Sequence, residues 1–132
     1  MTQYRILLAD DNPQVRAILV AILTRRNYLV DQAVDGIEAL DILRESGSIV
    51  DLLITDIKMP RMDGLDLARA VAEMFPAMPV LFISGWAESI DVPEWRKARH
   101  AFLRKPFLPN VLMNSVEQLI GPSAAKAAVA ET

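Results

Sequence analysis

The chain alternates five times between a short apolar segment and a segment with apolar residues at helical spacing, all before the pair Gly121-Pro122. We predict five strands, at residues 4–9, 28–34, 50–56, 79–84 and 101–104. The helices are predicted to begin near Pro13, Asp35, Gly64, Pro93 and Pro109. Asn12 is predicted to cap the first helix, and Asp35 the second. Because parallel neighbouring strands require helical crossovers, this alternation predicts an α/β fold in which helices cover both faces of a parallel sheet.

The first and last predicted helices carry clear apolar stripes, which we expect to face the sheet. In the first helix the stripe consists of Val15, Ile18, Leu19, Ile22 and Leu23. In the last helix it consists of Val111, Leu112, Val116, Leu119 and Ile120. Residues 85–92 show no such stripe, and the helix predicted over residues 93–99 is short. We therefore expect a shortened or irregular fourth helix.

The pair Gly121-Pro122 is a strong helix stop and sets the predicted domain boundary. Residues 1–121 are predicted to form one domain, which is a usual domain size. Residues 122–132 are rich in alanine and lack a packing pattern, so we predict a disordered tail. With no second domain predicted after Gly121, we expect any output to act through contact with another protein.

The composition excludes several classes of protein. The chain has no cysteine, which excludes disulfides, thiol catalysis and cysteine-based zinc sites. It has a single histidine, His100, which excludes a multi-histidine metal site and to which we assign no role. The net charge of −3 argues against a nucleic-acid partner. No apolar run is long enough to span a membrane, and the N-terminus lacks the form of a signal peptide, so we expect a cytoplasmic protein.

Charged or hydroxyl side chains stand at the carboxyl ends of the predicted strands. In a five-stranded doubly wound sheet the common strand order is 2-1-3-4-5, the flavodoxin-like order, and ligands bind beyond the carboxyl ends of the strands. Four strands that are neighbours in that order end in Asp10 and Asp11, Asp56, Ser84 and Lys105. We predict that these residues converge at one rim of the sheet, with Asp56 as the reactive residue.

The residue types at this rim indicate phosphoryl chemistry. Three carboxylates close together repel one another, and a divalent cation relieves that repulsion. An open site with only oxygen ligands favours Mg²⁺, which keeps several waters and is completed by a phosphate. Lys105 can neutralise a phosphoryl oxygen, and a carboxylate can itself attack phosphorus. The residues therefore predict the Mg²⁺-dependent transfer of a phosphoryl group to Asp56.

Over residues 4–121 the sequence resembles the receiver domains of two-component response regulators. The matching segments are Asp10-Asp11, Asp56-Ile57-Lys58-Met59-Pro60 with Gly64 behind it, Ser84-Gly85, and Lys105-Pro106-Phe107. Each segment alone is weak evidence, but their order and spacing together are highly specific. The resemblance implies a phosphoacceptor switch and not a metabolic enzyme. Its phosphoryl donor would be a histidine kinase or a histidine phosphotransfer protein, and its output target an unidentified protein.

The resemblance also assigns metal ligands. It implies that Asp11, Asp56 and the main-chain carbonyl of Lys58 bind Mg²⁺, and that Asp10 acts mainly through water.

For the switch, the resemblance implies that the Ser84 hydroxyl and the Lys105 ammonium contact the phosphoryl group. It also implies a cis peptide bond between Lys105 and Pro106. Phe102 occupies the position of the family's switch aromatic, whose ring would turn inward when Ser84 moves towards the phosphoryl group.

The segment after Ser84 departs from the family pattern, which usually has a regular helix there, so we do not expect the family's usual dimer. Trp86 lies two residues beyond Ser84, and Lys58 lies two residues beyond Asp56. Both are expected to flank the phosphoryl group. We hypothesise that the Trp86 ring restricts attacking water and lengthens the life of the acyl phosphate.

Two other functions stay open. One is an Mg²⁺-dependent phosphohydrolase with an aspartyl phosphate. Enzymes of that chemistry carry a second Asp two residues after the nucleophile and a Thr two further on, where this chain has Lys58 and Pro60. The other is a degenerate receiver that binds partners without phosphate, which the acidic residues and Lys105 argue against. The sequence does not distinguish a stand-alone regulator from a phosphate relay or from a receiver of a hybrid kinase.

Overall fold

The computed structural model describes residues 3–85 and 99–121. Within these ranges the strands are β1 (Arg5–Ala9), β2 (Leu29–Ala33), β3 (Leu52–Asp56), β4 (Val80–Ser84) and β5 (His100–Arg104). The helices are α1 (Pro13–Arg25), α2 (Gly36–Ser46), α3 (Gly64–Met74) and α4 (Pro109–Ile120). A 3-10 turn covers Gly47–Ile49, between α2 and β3.

The five strands form one parallel sheet in the order β2-β1-β3-β4-β5. This confirms the predicted α/β fold and the predicted strand order. β3 lies at the centre, and its residues Leu52, Leu53 and Ile54 are fully buried. A strand covered on both faces is apolar along its length, so β3 carries its one charged residue, Asp56, at its end.

The core has two layers, one on each face of the sheet, because alternate residues of a strand point to opposite faces. On one face, α2 and α3 pack against strand residues such as Leu7 and Leu53. On the other face, α1 and α4 pack against strand residues such as Leu8 and Ile54. The two layers pack on opposite faces of the sheet and fix the positions of the carboxyl ends of its strands.

Side-chain caps fix the starts of three helices at that same rim. Asn12 caps α1, Asp35 caps α2 and Asp63 caps α3, each by accepting a main-chain N–H bond in the first turn. The first two caps confirm the sequence interpretation, and the third was not predicted. Since each helix begins where a strand has just ended, the caps surround the site residues.

Two residues of the predicted stripes are exposed. Ile18 is 60% exposed and Val111 is 40% exposed, whereas their neighbours Leu19 and Leu112 are buried. Helical spacing defines a broad arc of apolar residues, but only the central part of the arc contacts a sheet. A residue at the edge of the arc is buried only when another element covers it. Ile18 instead borders a groove that α1 forms with Phe107.

Three predictions concern residues outside the described ranges: the short fourth helix, the role of Trp86 and the tail at residues 122–132. Within residues 3–85 and 99–121, none of the helices has both the length and the apolar character that crossing a bilayer requires.

Alanine substitutions at the neighbours Leu19 and Ile18 test the orientation of α1. Leu19→Ala should destabilise the fold by about 3 kcal/mol, because it opens a cavity in a fully packed layer. Ile18→Ala should change the free energy of unfolding by less than about 0.5 kcal/mol, because this side chain is mainly in solvent. Urea denaturation of both variants measures the difference, and equal effects would contradict the packing of α1.

Candidate functional site

The sheet brings the predicted site residues to one rim. Asp10 follows β1, Asp56 ends β3, Ser84 ends β4 and Lys105 follows β5. One carboxylate oxygen from each of Asp10, Asp11 and Asp56 lies within 4.8 Å of the other two. The Nζ atom of Lys105 lies 3.3 Å from Oδ2 of Asp56 and 3.4 Å from Oδ2 of Asp10. The main-chain N–H of Lys105 also donates to the carbonyl of Ser84 at 2.8 Å, which ties the ends of β4 and β5 together.

The carboxylate of Asp56 is half-buried, and its two oxygens have different surroundings. Oδ1 accepts a hydrogen bond of 2.7 Å from the N–H of Ile57, while Oδ2 faces Lys105. Burial raises the pKa of Asp56 above its ordinary value. The Lys105 ammonium opposes that rise and the Asp10 carboxylate adds to it. The net effect is a site in which negative charge is unfavourable until a proton or a cation arrives.

Asp10 is held from both its side chain and its main chain. It is 1% exposed, and its Oδ1 accepts the N–H of Asn12 at 2.9 Å. Its main-chain carbonyl accepts a bond of 2.7 Å from Nη1 of Arg16, whose Nε reaches Gln32 at 3.2 Å. Arg16 therefore links two segments: the turn that contains the two acids, and the end of β2. The sequence interpretation missed Arg16, because a cation in the first turns of a helix is equally common on a solvated face.

The three carboxylates fit a magnesium ion. All three supply hard oxygen ligands, and burial decreases from Asp10 through Asp56 to the exposed Asp11, so one side of the cluster opens to solvent. Mg²⁺ binds to one or two carboxylates and keeps several waters, which requires such an open side. Lys58 lies in the exposed loop after β3, and the role of its main-chain carbonyl as a ligand stays a prediction.

That loop, residues 57–63, is fastened to the end of β3 by Gly64. The N–H of Gly64 donates to the carbonyl of Ile57 at 2.7 Å. A Cβ atom at Gly64 would collide with the main-chain oxygen of Asp56. Glycine is required here because the backbone of α3 passes directly against the backbone of the site.

A second fastening of the loop lies on the side of α2. Nε of Arg61 donates to Oδ2 of Asp35 at 2.6 Å. This bond is the main reason why the pKa of the Asp35 carboxyl lies below its ordinary value. The sequence interpretation recognised Asp35 only as a helix cap. It missed the partner Arg61, because the two residues are 26 positions apart.

Ser84 and Phe102 lie on the same face of the sheet. Phe82 and Phe102 are partners in the β4–β5 ladder, and Ser84 stands two residues beyond Phe82. Ser84 is buried, whereas Phe102 is 38% exposed, with its ring stacked on that of Phe82 at 4.9 Å. The peptide bond Lys105-Pro106 is cis, as the resemblance implies.

Comparison with known proteins agrees with this geometry. The family model of the response regulator receiver domain matches residues 6–117. The chain belongs to this family. The receiver domain is thus a component of the two-component signalling systems.

Two relatives from Brucella abortus (strain 2308) differ in how much of them the chain spans. The receiver domain is 38% identical over 117 residues to the response regulator receiver protein CpdR, covering 88% of this chain and 96% of CpdR. It is 36% identical over 118 residues to the sensor kinase CckA, covering 87% of this chain but only 12% of the kinase.

Among solved structures, the receiver domain is similar to the response regulator TrrA from Thermotoga maritima in complex with Mg²⁺-BeF. The TM-score is 0.78 at 28% identity, covering 88% of this chain and 98% of TrrA.

We expect Asp56→Asn to fold well and to stabilise the metal-free receiver domain at neutral pH. The folded-state pKa of Asp56 is raised above the unfolded value, so the ionised carboxylate destabilises the fold once the pH exceeds the folded-state pKa. The advantage of the variant should shrink as the pH falls through that pKa towards about 3.9, the unfolded value. Thermal denaturation in EDTA over this pH range measures it. A variant less stable than the wild type at neutral pH would contradict a raised pKa of Asp56.

Proposed function

We propose that this receiver domain accepts a phosphoryl group on Asp56 from a histidine kinase or a histidine phosphotransfer protein, with Mg²⁺ bound, in the cytoplasm. The observation that carries the proposal is the convergence of three carboxylates within 4.8 Å beside the Lys105 ammonium. Such a cluster is unfavourable unless a cation is bound there. The family match and the Mg²⁺-BeF complex of TrrA support the same chemistry.

Asp56 supplies the nucleophile, and the chain catalyses only its own phosphorylation and dephosphorylation. A carboxylate oxygen of Asp56 forms a bond to phosphorus as the bond between phosphorus and the donor's imidazole nitrogen breaks. The released nitrogen takes up a proton from solvent. Oδ1 holds the shorter hydrogen bond, 2.7 Å from the N–H of Ile57, whereas Oδ2 lies 3.3 Å from Nζ of Lys105. The attacking oxygen is therefore the less tightly held Oδ2. Later attack by water on phosphorus releases inorganic phosphate and restores the carboxylate.

Lys105 is prepared for an incoming phosphoryl oxygen. Its Nζ lies 3.3 Å and 3.4 Å from two carboxylates, longer than a strong charge-assisted hydrogen bond of about 2.8 Å. Asp10, Asp11 and Asp56 would hold Mg²⁺, together with the Lys58 carbonyl. The bound ion would neutralise charge that builds up on the phosphoryl oxygens.

The switch would run through Ser84 and Phe102. The Ser84 hydroxyl moves towards the phosphoryl group and donates a hydrogen bond to one of its oxygens. The movement of Ser84 makes room for the Phe102 ring to turn inward. The two side chains share one face of the sheet, and the ring now stacks on Phe82 with 38% of its residue surface exposed. Phosphorylation would thereby alter the exposed surface of β5, and the unidentified target protein would bind to this surface.

The phosphodonor protein would dock over the groove between α1 and the segment before α4. The groove has a volume of about 290 Å³ and is lined by Ile18, Ile22, Phe107 and Lys105. Its walls are mainly apolar, and Ile18 is 60% exposed. Because Lys105 lines both the groove and the acidic site, a donor seated on the groove has its histidine within reach of Asp56. An exposed apolar patch of this kind is typical of a protein interaction surface.

Intact-mass spectrometry tests the phosphoacceptor. After incubation with acetyl phosphate and Mg²⁺, the wild type should gain one phosphoryl mass and Asp56→Ala should gain none. Lys105→Ala should gain the phosphoryl mass more slowly, or should gain it without the inward turn of the Phe102 ring. A wild type that gains nothing, or an Asp56→Ala variant that gains the same mass, would contradict the assignment.

Magnesium should stabilise the wild type by mass action. At a Mg²⁺ concentration one hundredfold above its dissociation constant, the free energy of unfolding should rise by about 2.7 kcal/mol. Asp11→Asn should lose most of this gain, because it removes a charged metal ligand. The substitution should have little effect on the metal-free fold, because Asp11 is exposed. Thermal denaturation with and without millimolar Mg²⁺ measures the effect, and an unchanged wild-type melting temperature would mean that the metal site does not form.

The groove is tested by Ile18→Glu, with Ile49→Glu as a matched control. Ile49 is 56% exposed on the 3-10 turn before β3, at the other end of the sheet. Ile18→Glu should slow phosphotransfer from autophosphorylated histidine kinases by roughly tenfold, since one lost interface anchor costs about 1.4 kcal/mol. Labelling by acetyl phosphate should stay unchanged in both variants. Equal transfer rates for the two variants would remove the groove from the proposal.

A further inference from the structure

Arg61 has a backbone conformation that arginine rarely adopts. Its φ is +67°, in the left-handed region, and the N–H of Met62 donates to the carbonyl of Pro60 across it at 2.7 Å. A three-residue turn with positive φ at its centre is the rare and strained form of the γ-turn. A residue that carries a Cβ atom keeps such a conformation only when its surroundings impose it. The chain therefore has a specific contact that holds Arg61 in place.

That contact is the ion pair with Asp35. Nε of Arg61 donates to Oδ2 of Asp35 at 2.6 Å, while Oδ1 of Asp35 accepts the N–H of Glu38 at 2.9 Å. The Asp35 side chain is 6% exposed and that of Arg61 is 58% exposed. One buried carboxylate thus uses one oxygen to cap α2 and the other to hold the loop after β3. A nearly buried charge with both oxygens engaged is a firm anchor.

The backbones beside this ion pair are also in close contact. A Cβ atom at Gly36 would collide with the main-chain oxygen and the side chain of Met62. The loop therefore presses on the first residue of α2, directly next to Asp35. At its other end the loop is fastened by the bond from Gly64 to the carbonyl of Ile57. Residues 57–63, which include Lys58, are held from two sides.

We infer that the Arg61–Asp35 ion pair is a positioning device that holds the loop after β3 in the conformation that binds the metal ion. Arg61 stands three residues beyond Lys58, and Asp35 caps α2 outside the loop. Both residues therefore act on the metal site through the loop backbone. This inference rests on the proposed function, in which the Lys58 carbonyl and Asp56 bind Mg²⁺. By holding the loop in place, the ion pair reduces the conformational entropy that the loop loses when Mg²⁺ binds.

Two substitutions break the ion pair with little other change. Asp35→Asn keeps one oxygen to cap α2, and Asn is among the best cap residues, but it cannot also offer an acceptor to Arg61. Arg61→Met keeps the Cβ atom and the aliphatic stem but lacks the guanidinium. The matched control is Asp31→Asn, which removes the Arg5–Asp31 ion pair, with its bonds of 3.0 Å, between β1 and β2.

Calorimetric titration of the metal-free full chain with Mg²⁺ gives the first readout. Asp35→Asn and Arg61→Met should each raise the dissociation constant by roughly tenfold, a typical loss when a group that supports metal ligands is removed. The double variant should resemble either single variant, because the two residues act as one unit. Asp31→Asn should stay within about twofold of the wild type. Wild-type affinity in both single variants would overturn the inference, even if both melt at a lower temperature.

Hydrogen exchange in the absence of metal gives an independent readout. The N–H groups of Met62 and Gly64 should exchange faster in Asp35→Asn and Arg61→Met than in the wild type, while those of β3 should be unchanged. Unchanged exchange at both amides would overturn the inference. Failure of the proposed function has a different signature: the wild type itself would bind no Mg²⁺ and would gain no phosphoryl mass from acetyl phosphate.

Discussion

Repulsion among Asp10, Asp11 and Asp56 is the constraint on which the rest of this structure depends. Local sequence does not bring three like charges within 4.8 Å of one another; the parallel sheet does, by ending neighbouring strands at one rim. Two apolar layers offset the unfavourable charges, because each contributes stability in proportion to the surface that it removes from water. Lys105 neutralises only part of the cluster. The remaining negative charge is the basis of the proposed affinity of the site for a cation and, with it, for a phosphoryl group.

The rim is braced mainly through the backbone, outside the carboxylates themselves. Arg16 holds the main-chain carbonyl of Asp10, Gly64 lies against the main chain of Asp56, and Arg61 ties the following loop to α2. These contacts do not use the carboxylate oxygens of Asp10, Asp11 and Asp56, which therefore stay available to a cation. Under the proposed function, this support lets the site bind and release an ion and a phosphoryl group without losing its framework.

The surfaces proposed for the phosphodonor and for the target lie on opposite faces of the sheet. The groove beside Ile18 belongs to the layer formed with α1 and α4, whereas the ring of Phe102 lies over Phe82 in the layer formed with α2 and α3. Both surfaces meet the site at its rim, where Lys105 follows β5. Under the proposed function, the site receives a phosphoryl group from one protein and signals to another, and the two partners do not compete for the same surface.

The sequence by itself determined the fold class, the strand order and the residues at the rim, because these depend on repeating apolar patterns and on which residue ends each strand. It also determined the caps of α1 and α2, which are local. Only the tertiary structure decided that Ile18 is exposed, because burial depends on which element covers the edge of a stripe. Only the tertiary structure paired Arg61 with Asp35 and Arg16 with the carbonyl of Asp10. Charged residues on loops and helices carry no periodic signal, and their partners are set by chain segments that meet only after the sheet has formed.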